Sequence, residues 1–168
     1  MKQKALAFFV LFFLSTFFSY GQNEKFKALF MYNFTKYLEW PEAQRQGDFV
    51  ITVVGNSSIT KELKTIAARK KVGFQPIKVK SVSSSAQIAD SHIIYVCADK
   101  TNNLSDLQGT AKRLNAVLIA DNNGAIDKGA GINYVVVDGK QMFEVSRKNL
   151  ESCQVKVGSE LLSLGIAK

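Results

Sequence analysis

Three short apolar runs constrain this chain more than any other feature. Phe49–Val54, residues 93–97 and Val117–Ala120 are nearly continuous stretches rich in Val and Ile. Strands that read this way are covered on both faces, as in parallel sheets flanked by helices. The segments between them carry a helical period. Residues 59–70 place Leu63, Ile66 and Ala67 on one side, and residues 102–114 read as a helix weakened by Gly109. Strands alternating with helices predict parallel crossover units and a single three-layer α/β sandwich of Rossmann-like form. Residues 77–82 alternate as a half-buried or edge strand would. Towards the end, Ile132–Val137 and residues 141–145 flank Asp138-Gly139, a strong hairpin signal. A short helix over 146–152 and a closing segment over 155–164 follow. The expected sheet is therefore mixed, with a parallel centre and an antiparallel hairpin near the C-terminus.

The first residues set the compartment. Lys2 and Lys4 precede an apolar run over residues 5–20, and Ser19-Tyr20-Gly21 puts small residues where signal peptidase reads. This pattern predicts a signal peptide over residues 1–21, cleaved after Gly21, and an exported, periplasmic domain over 22–168. A spanning helix needs about 20 apolar residues, so removal is preferred over an uncleaved anchor. The remaining 147 residues suffice for one domain. Two lysines leave with the leader, lowering the formal net charge from +8 to +6. A basic balance often signals nucleic acid, but export separates the two, so no nucleic-acid partner is expected. Cys97 and Cys153 can bridge in an oxidising compartment or remain free as small buried hydrophobes; the free form is the preferred reading.

Residues 23–40 have a helical pattern that Pro41 should end. At 100° per residue, Phe26, Leu29, Phe30, Phe34, Tyr37 and Trp40 share one face, expected to be inward. Asn33 interrupts that face and is expected to tie a neighbouring element through its amide. Met31, Tyr32, Leu38 and Glu39 lie beside the stripe. They widen the apolar arc beyond what a one-sided helix needs, so either the helix packs on two sides within the domain, the preferred reading, or this flank meets a partner and these four are the candidate partner-binding residues.

Chemistry is largely absent. The lone histidine, His92, opens a strand and reads as a hydrogen-bonded structural residue. The cysteines lack metal-ligand spacing, so no metal site is expected. No G-x-S-x-G, H-E-x-x-H or Walker loop occurs, and Gly129-Ala130-Gly131 precedes a strand rather than the helix of a dinucleotide site. The expectation is a non-enzyme without cofactor.

The order of these segments resembles one family. The run Phe30-Met31-Tyr32-Asn33-Phe34-Thr35-Lys36-Tyr37-Leu38-Glu39-Trp40-Pro41 is similar to the opening of the YfiR-like exported bacterial proteins. Val50 to Gly55, Ser91-His92-Ile93-Ile94-Tyr95-Val96, Gly131-Ile132-Asn133-Tyr134-Val135, Phe143-Glu144-Val145-Ser146 and the closing stretch from Gly158-Ser159 to Leu164 resemble its later motifs. Asn33, Trp40, Pro41, His92 and Ser159 are motif positions of structural type. Ser91 stands where the family often carries cysteine and Ser146 where it carries asparagine, so a family-type disulfide through position 91 is excluded. The resemblance implies a Rossmann-like domain that tends to dimerise. It further implies a repressor that binds the extracytoplasmic sensor portion of an inner-membrane diguanylate cyclase and lowers cyclic-di-GMP synthesis. The alternative is a small-ligand module serving another membrane sensor such as a histidine kinase. Its pocket would lie near Gly55-Asn56, Ala98-Asp99 and Asp121-Asn122, at the carboxyl ends of the strands.

Overall fold

The computed structural model describes residues 17–168, with side chains from Asn23 onward except at residue 101. The expected leader and its cleavage lie largely outside the described residues. In chain order the strands are β1 (Leu38–Glu39), β2 (Phe49–Val54), β3 (Lys71–Val72), β4 (Gln75–Val82), β5 (Ile93–Val96), β6 (Val117–Ala120), β7 (Ile132–Val137), β8 (Lys140–Val145), β9 (Lys156–Val157) and β10 (Ile166–Ala167). The helices are α1 (Phe17–Phe34), α2 (Ile59–Ala67), α3 (Leu104–Leu114), α4 (Arg147–Ser152) and α5 (Ser159–Leu164).

The main sheet runs β10-β8-β7-β6-β5-β2-β4-β3. Its centre, β4, β2, β5, β6 and β7, is parallel throughout, and every residue of β2, β5 and β6 is buried. Their apolar continuity thus reflects cover on both faces. From β2 the chain crosses through α2 to β4, then returns to place β5 on the other side of β2. Right-handed crossovers in opposite directions put α2 on one face and α3 on the other. Taken in chain order, the five parallel strands read 2-1-3-4-5, a doubly wound order whose switch point lies between β2 and β5. β8 pairs antiparallel with β7 through Asp138-Gly139, whose φ values of 50° and 74° define the twisted two-residue turn that favours this dipeptide. The mixed sandwich expected from sequence is the one observed. Three pairings had no sequence signal: β10 beside β8, β3 beside β4, and a separate two-stranded sheet of β1 with β9.

The first helix departs from expectation. It ends at Phe34 rather than reaching Trp40. The Thr35 hydroxyl and amide both donate to the Tyr32 carbonyl, and the next two amides bond three residues back, so the chain tightens into a turn. Tyr37 then accepts from the Gly158 amide and Leu38 pairs with Val157, drawing this segment into a strand. Tertiary pairing overrides a helical period that Trp40 fits by coincidence. The inward face is also different: Lys27, Ala28, Met31 and Phe34 are buried, whereas Phe26 and Leu29 face outward. Phe34 packs on Phe143 at 4.7 Å and Tyr134 at 6.1 Å, seating α1 beside α2 over one face of the sheet.

Candidate interaction surface

The outward side of α1 and the β7–β8 hairpin form one apolar surface. Phe26 and Leu29 are 53% and 46% exposed, and Val136 in the hairpin is 66% exposed. Phe30 lies between them, half-buried against Phe143. Asn23, Phe26, Phe30, Val136, Gly139, Lys140 and Gln141 line a shallow hollow of about 540 Å³. Large apolar side chains left in water and ringed by polar groups are the usual anchors of protein contacts.

The residues singled out from sequence are distributed differently. Met31 is fully buried and Leu38 nearly so, which corrects their expected place on a flank: one packs beneath α1, the other in the β1–β9 pair. Tyr32 is half-buried, with its hydroxyl donating to the Lys71 carbonyl at 3.4 Å and the Lys36 ammonium 5.6 Å from its ring. Glu39 is exposed and accepts from Arg45 at 2.5 Å; that hydrogen bond, helped by Lys156, holds its carboxyl below the usual range. Asn33 is half-buried rather than core-facing, and its amide makes no side-chain hydrogen bond among the described residues.

Of the remaining motif residues, Trp40, Pro41 and His92 build an anchor at the amino ends of β2 and β5. Trp40 donates from Nε1 to the His92 carbonyl at 3.1 Å and meets Phe49 edge-on, with ring centroids 5.0 Å apart. Pro41 opens a one-turn 3₁₀ helix, Glu42–Gln44. His92 accepts from the Val50 amide at Nδ1, so Nε2 carries the proton and donates to the Gln44 carbonyl at 2.8 Å. Burial pushes its pKa below the ordinary value. Ser159 begins α5, exposed, its carbonyl accepting from Ser163. Cys97 and Cys153 are buried free thiols, and burial pushes Cys97 up to about 11.

A buried charge went unnoticed in the sequence. Lys27 projects from α1 towards the carboxyl ends of β5 and β6, where its ammonium meets Asp121 at 2.5 Å and Glu24 at 3.1 Å. Burial lowers its pKa, but the two carboxylates outweigh that and leave it above the ordinary lysine value. Glu24 also accepts from Ser57 at 2.9 Å, and Asp121 from Tyr95 at 3.4 Å. The helix therefore occupies part of the crevice where doubly wound sheets receive ligands. What stays open is a cleft of about 470 Å³ lined by Gly55, Asn56, Ser83, Gln87, Asp99 and Lys100. No group of three or more His, Cys, Asp or Glu side chains suited to a metal occurs among the described residues.

The domain is a doubly wound α/β sandwich with an aromatic helix face in water. The comparisons supply the family. The YfiR/HmsC-like family model matches residues 24–166, and the chain belongs to that family. No curated protein matches it. Among solved structures, a conserved domain protein from Vibrio cholerae O1 biovar El Tor str. N16961 is similar in fold at 14% identity and a TM-score of 0.54. The match covers 70% of this chain and 54% of that one, so the chain spans about half the length of that protein.

Proposed function

We propose that this protein is a periplasmic regulator that represses or modulates an inner-membrane diguanylate cyclase by binding its extracytoplasmic sensor portion. The observation that carries the reading is family membership over nearly the whole described domain. Members of the family act as regulators rather than enzymes. The leader pattern over residues 1–21 supports export, and among the described residues no helix is long and apolar enough to cross a membrane. The contact surface in this reading is the α1–hairpin face, with Phe26 and Leu29 as anchors.

Capture from detergent-solubilised membranes of the producing cell tests it, with Phe26→Asp/Leu29→Asp as the comparison. The expected result is co-purification of a diguanylate cyclase, reduced at least about thirtyfold in the double variant, the factor that follows from losing one interface anchor. Both side chains are exposed, so the variant keeps its melting temperature. Recovery of a sensor kinase in place of the cyclase would transfer the reading to the alternative membrane sensor. Undiminished capture by the variant would remove this face from the account.

A further inference from the structure

A second exposed feature lies at the opposite edge of the sheet, where β3 and β4 meet. Gly73 takes φ +56° in a tight turn, and Phe74 beside it is 99% exposed. The turn is braced on both sides. The Gln75 amide donates to the Gln44 and Gln46 carbonyls at 3.0 and 3.1 Å, and Tyr32 donates to the Lys71 carbonyl. The phenyl ring is therefore held out into solvent by an ordered hairpin.

The chain leading into the turn is strongly basic. Lys61, Lys64, Arg69, Lys70 and Lys71 are all exposed, and Glu62 is the sole acid in residues 59–74. None of the five cations forms an ion pair among the described residues, whereas nearby Lys78 and Lys80 are neutralised by Asp48 and Asp90. Positive charge at the end of α2 complements the helix dipole, which accounts for Lys64 but not for a solvent-bathed phenylalanine among cations. A protein contact centres on a cluster of apolar side chains fitted into a pocket. Here one aromatic projects from the turn that Arg69, Lys70 and Lys71 lead into, with the Glu39–Arg45 pair on its other side, an arrangement that suits a fluid apolar layer beneath anionic headgroups.

We propose that the β3–β4 tip docks this protein on an anionic phospholipid surface. Phe74 enters the boundary between headgroups and acyl chains, and Arg69, Lys70 and Lys71 face the lipid phosphates. The inference rests on the reading that the protein works beside a membrane, and it adds a contact independent of the α1–hairpin face.

The test is co-sedimentation of the protein purified after export with vesicles of phosphatidylcholine alone or of phosphatidylcholine with phosphatidylglycerol, comparing wild type with Phe74→Ala and with Lys70→Gln/Lys71→Gln. Binding should require phosphatidylglycerol and weaken with salt. It should fall about tenfold in Phe74→Ala and about twenty-five-fold in the double variant, taking about fivefold per lost charge. Equal binding to both vesicle types, or variants that bind like wild type, would overturn the proposal. Capture of the cyclase in detergent separates the two ideas. Vesicle binding lost in Phe74→Ala with capture intact supports the tip as a lipid contact. Capture lost in Phe74→Ala, with no vesicle binding by wild type, would assign the tip to a protein partner instead. Vesicle binding without any capture would sink the regulatory reading and leave this one standing.

Discussion

Replacing Lys27 with Met keeps the stem of the side chain and deletes its charge. The ammonium is 6% exposed and lies between Asp121 and Glu24, whose side chains are 27% and 18% exposed. Breaking a fully buried pair by removing one partner costs about 3–5 kcal/mol. Here both carboxylates reach water and can rehydrate in part, so the expected loss is about 2–3 kcal/mol. For a chain of this size that lowers Tm by about 5–10 °C. Adding Asp121→Asn removes the stranded charge and should recover about half of the loss, a coupling that only residues in contact display. The pH dependence has a defined sign. The folded-state pKa of Lys27 is raised, so its contribution is complete below the ordinary lysine value and is lost as pH rises through the folded value. Thermal melts of wild type, Lys27→Met and the double variant at neutral and alkaline pH measure all of this. An unchanged or raised Tm in Lys27→Met would refute the reasoning, because it would mean the ammonium contributes nothing beyond its own desolvation.

Three further outcomes follow from the buried anchor and the thiols. The pKa of His92 is depressed, so its neutral form stabilises the fold above the ordinary histidine value, and that stability is lost as pH falls through the folded value; melts between neutral and mildly acidic pH should show a slope that His92→Asn flattens. Trp40→Phe removes one of two donors from the buried His92 carbonyl, which keeps the Val117 amide at 2.9 Å, and should cost about 0.5–1.5 kcal/mol by denaturant melt, with the slope of the transition unchanged. Cys97 and Cys153 should resist alkylation in the folded protein and both react after unfolding without reductant, as intact mass would record.

The central strands were legible because burial on both faces leaves a signal that nothing else in a chain of this length imitates. The hairpin was equally plain, since few dipeptides other than Asp138-Gly139 adopt two positive φ values cheaply. The first helix misled for a physical reason. Two stripes share its surface: Phe26, Leu29 and Phe30 on one, Lys27, Ala28, Met31 and Phe34 on the other. Hydropathy favours the first, yet the second faces the core, because Lys27 finds two carboxylates supplied by Glu24 one turn away and Asp121 far along the chain. A long-range partner of that kind carries no local signal. The surplus of aromatic residues was visible, but the rotation that decides which of them meet water is fixed by packing against Tyr134 and Phe143. Hence Met31 and Leu38 are core, and Phe26 and Leu29 take their place at the surface.

A repressor of a diguanylate cyclase, as proposed, lowers cellular cyclic-di-GMP. Deleting the gene from the producing cell and restoring it as wild type or as Phe26→Asp/Leu29→Asp tests that directly. Cyclic-di-GMP should rise on deletion, return with wild type and stay high with the folded, exported double variant. A level that does not move on deletion would contradict it.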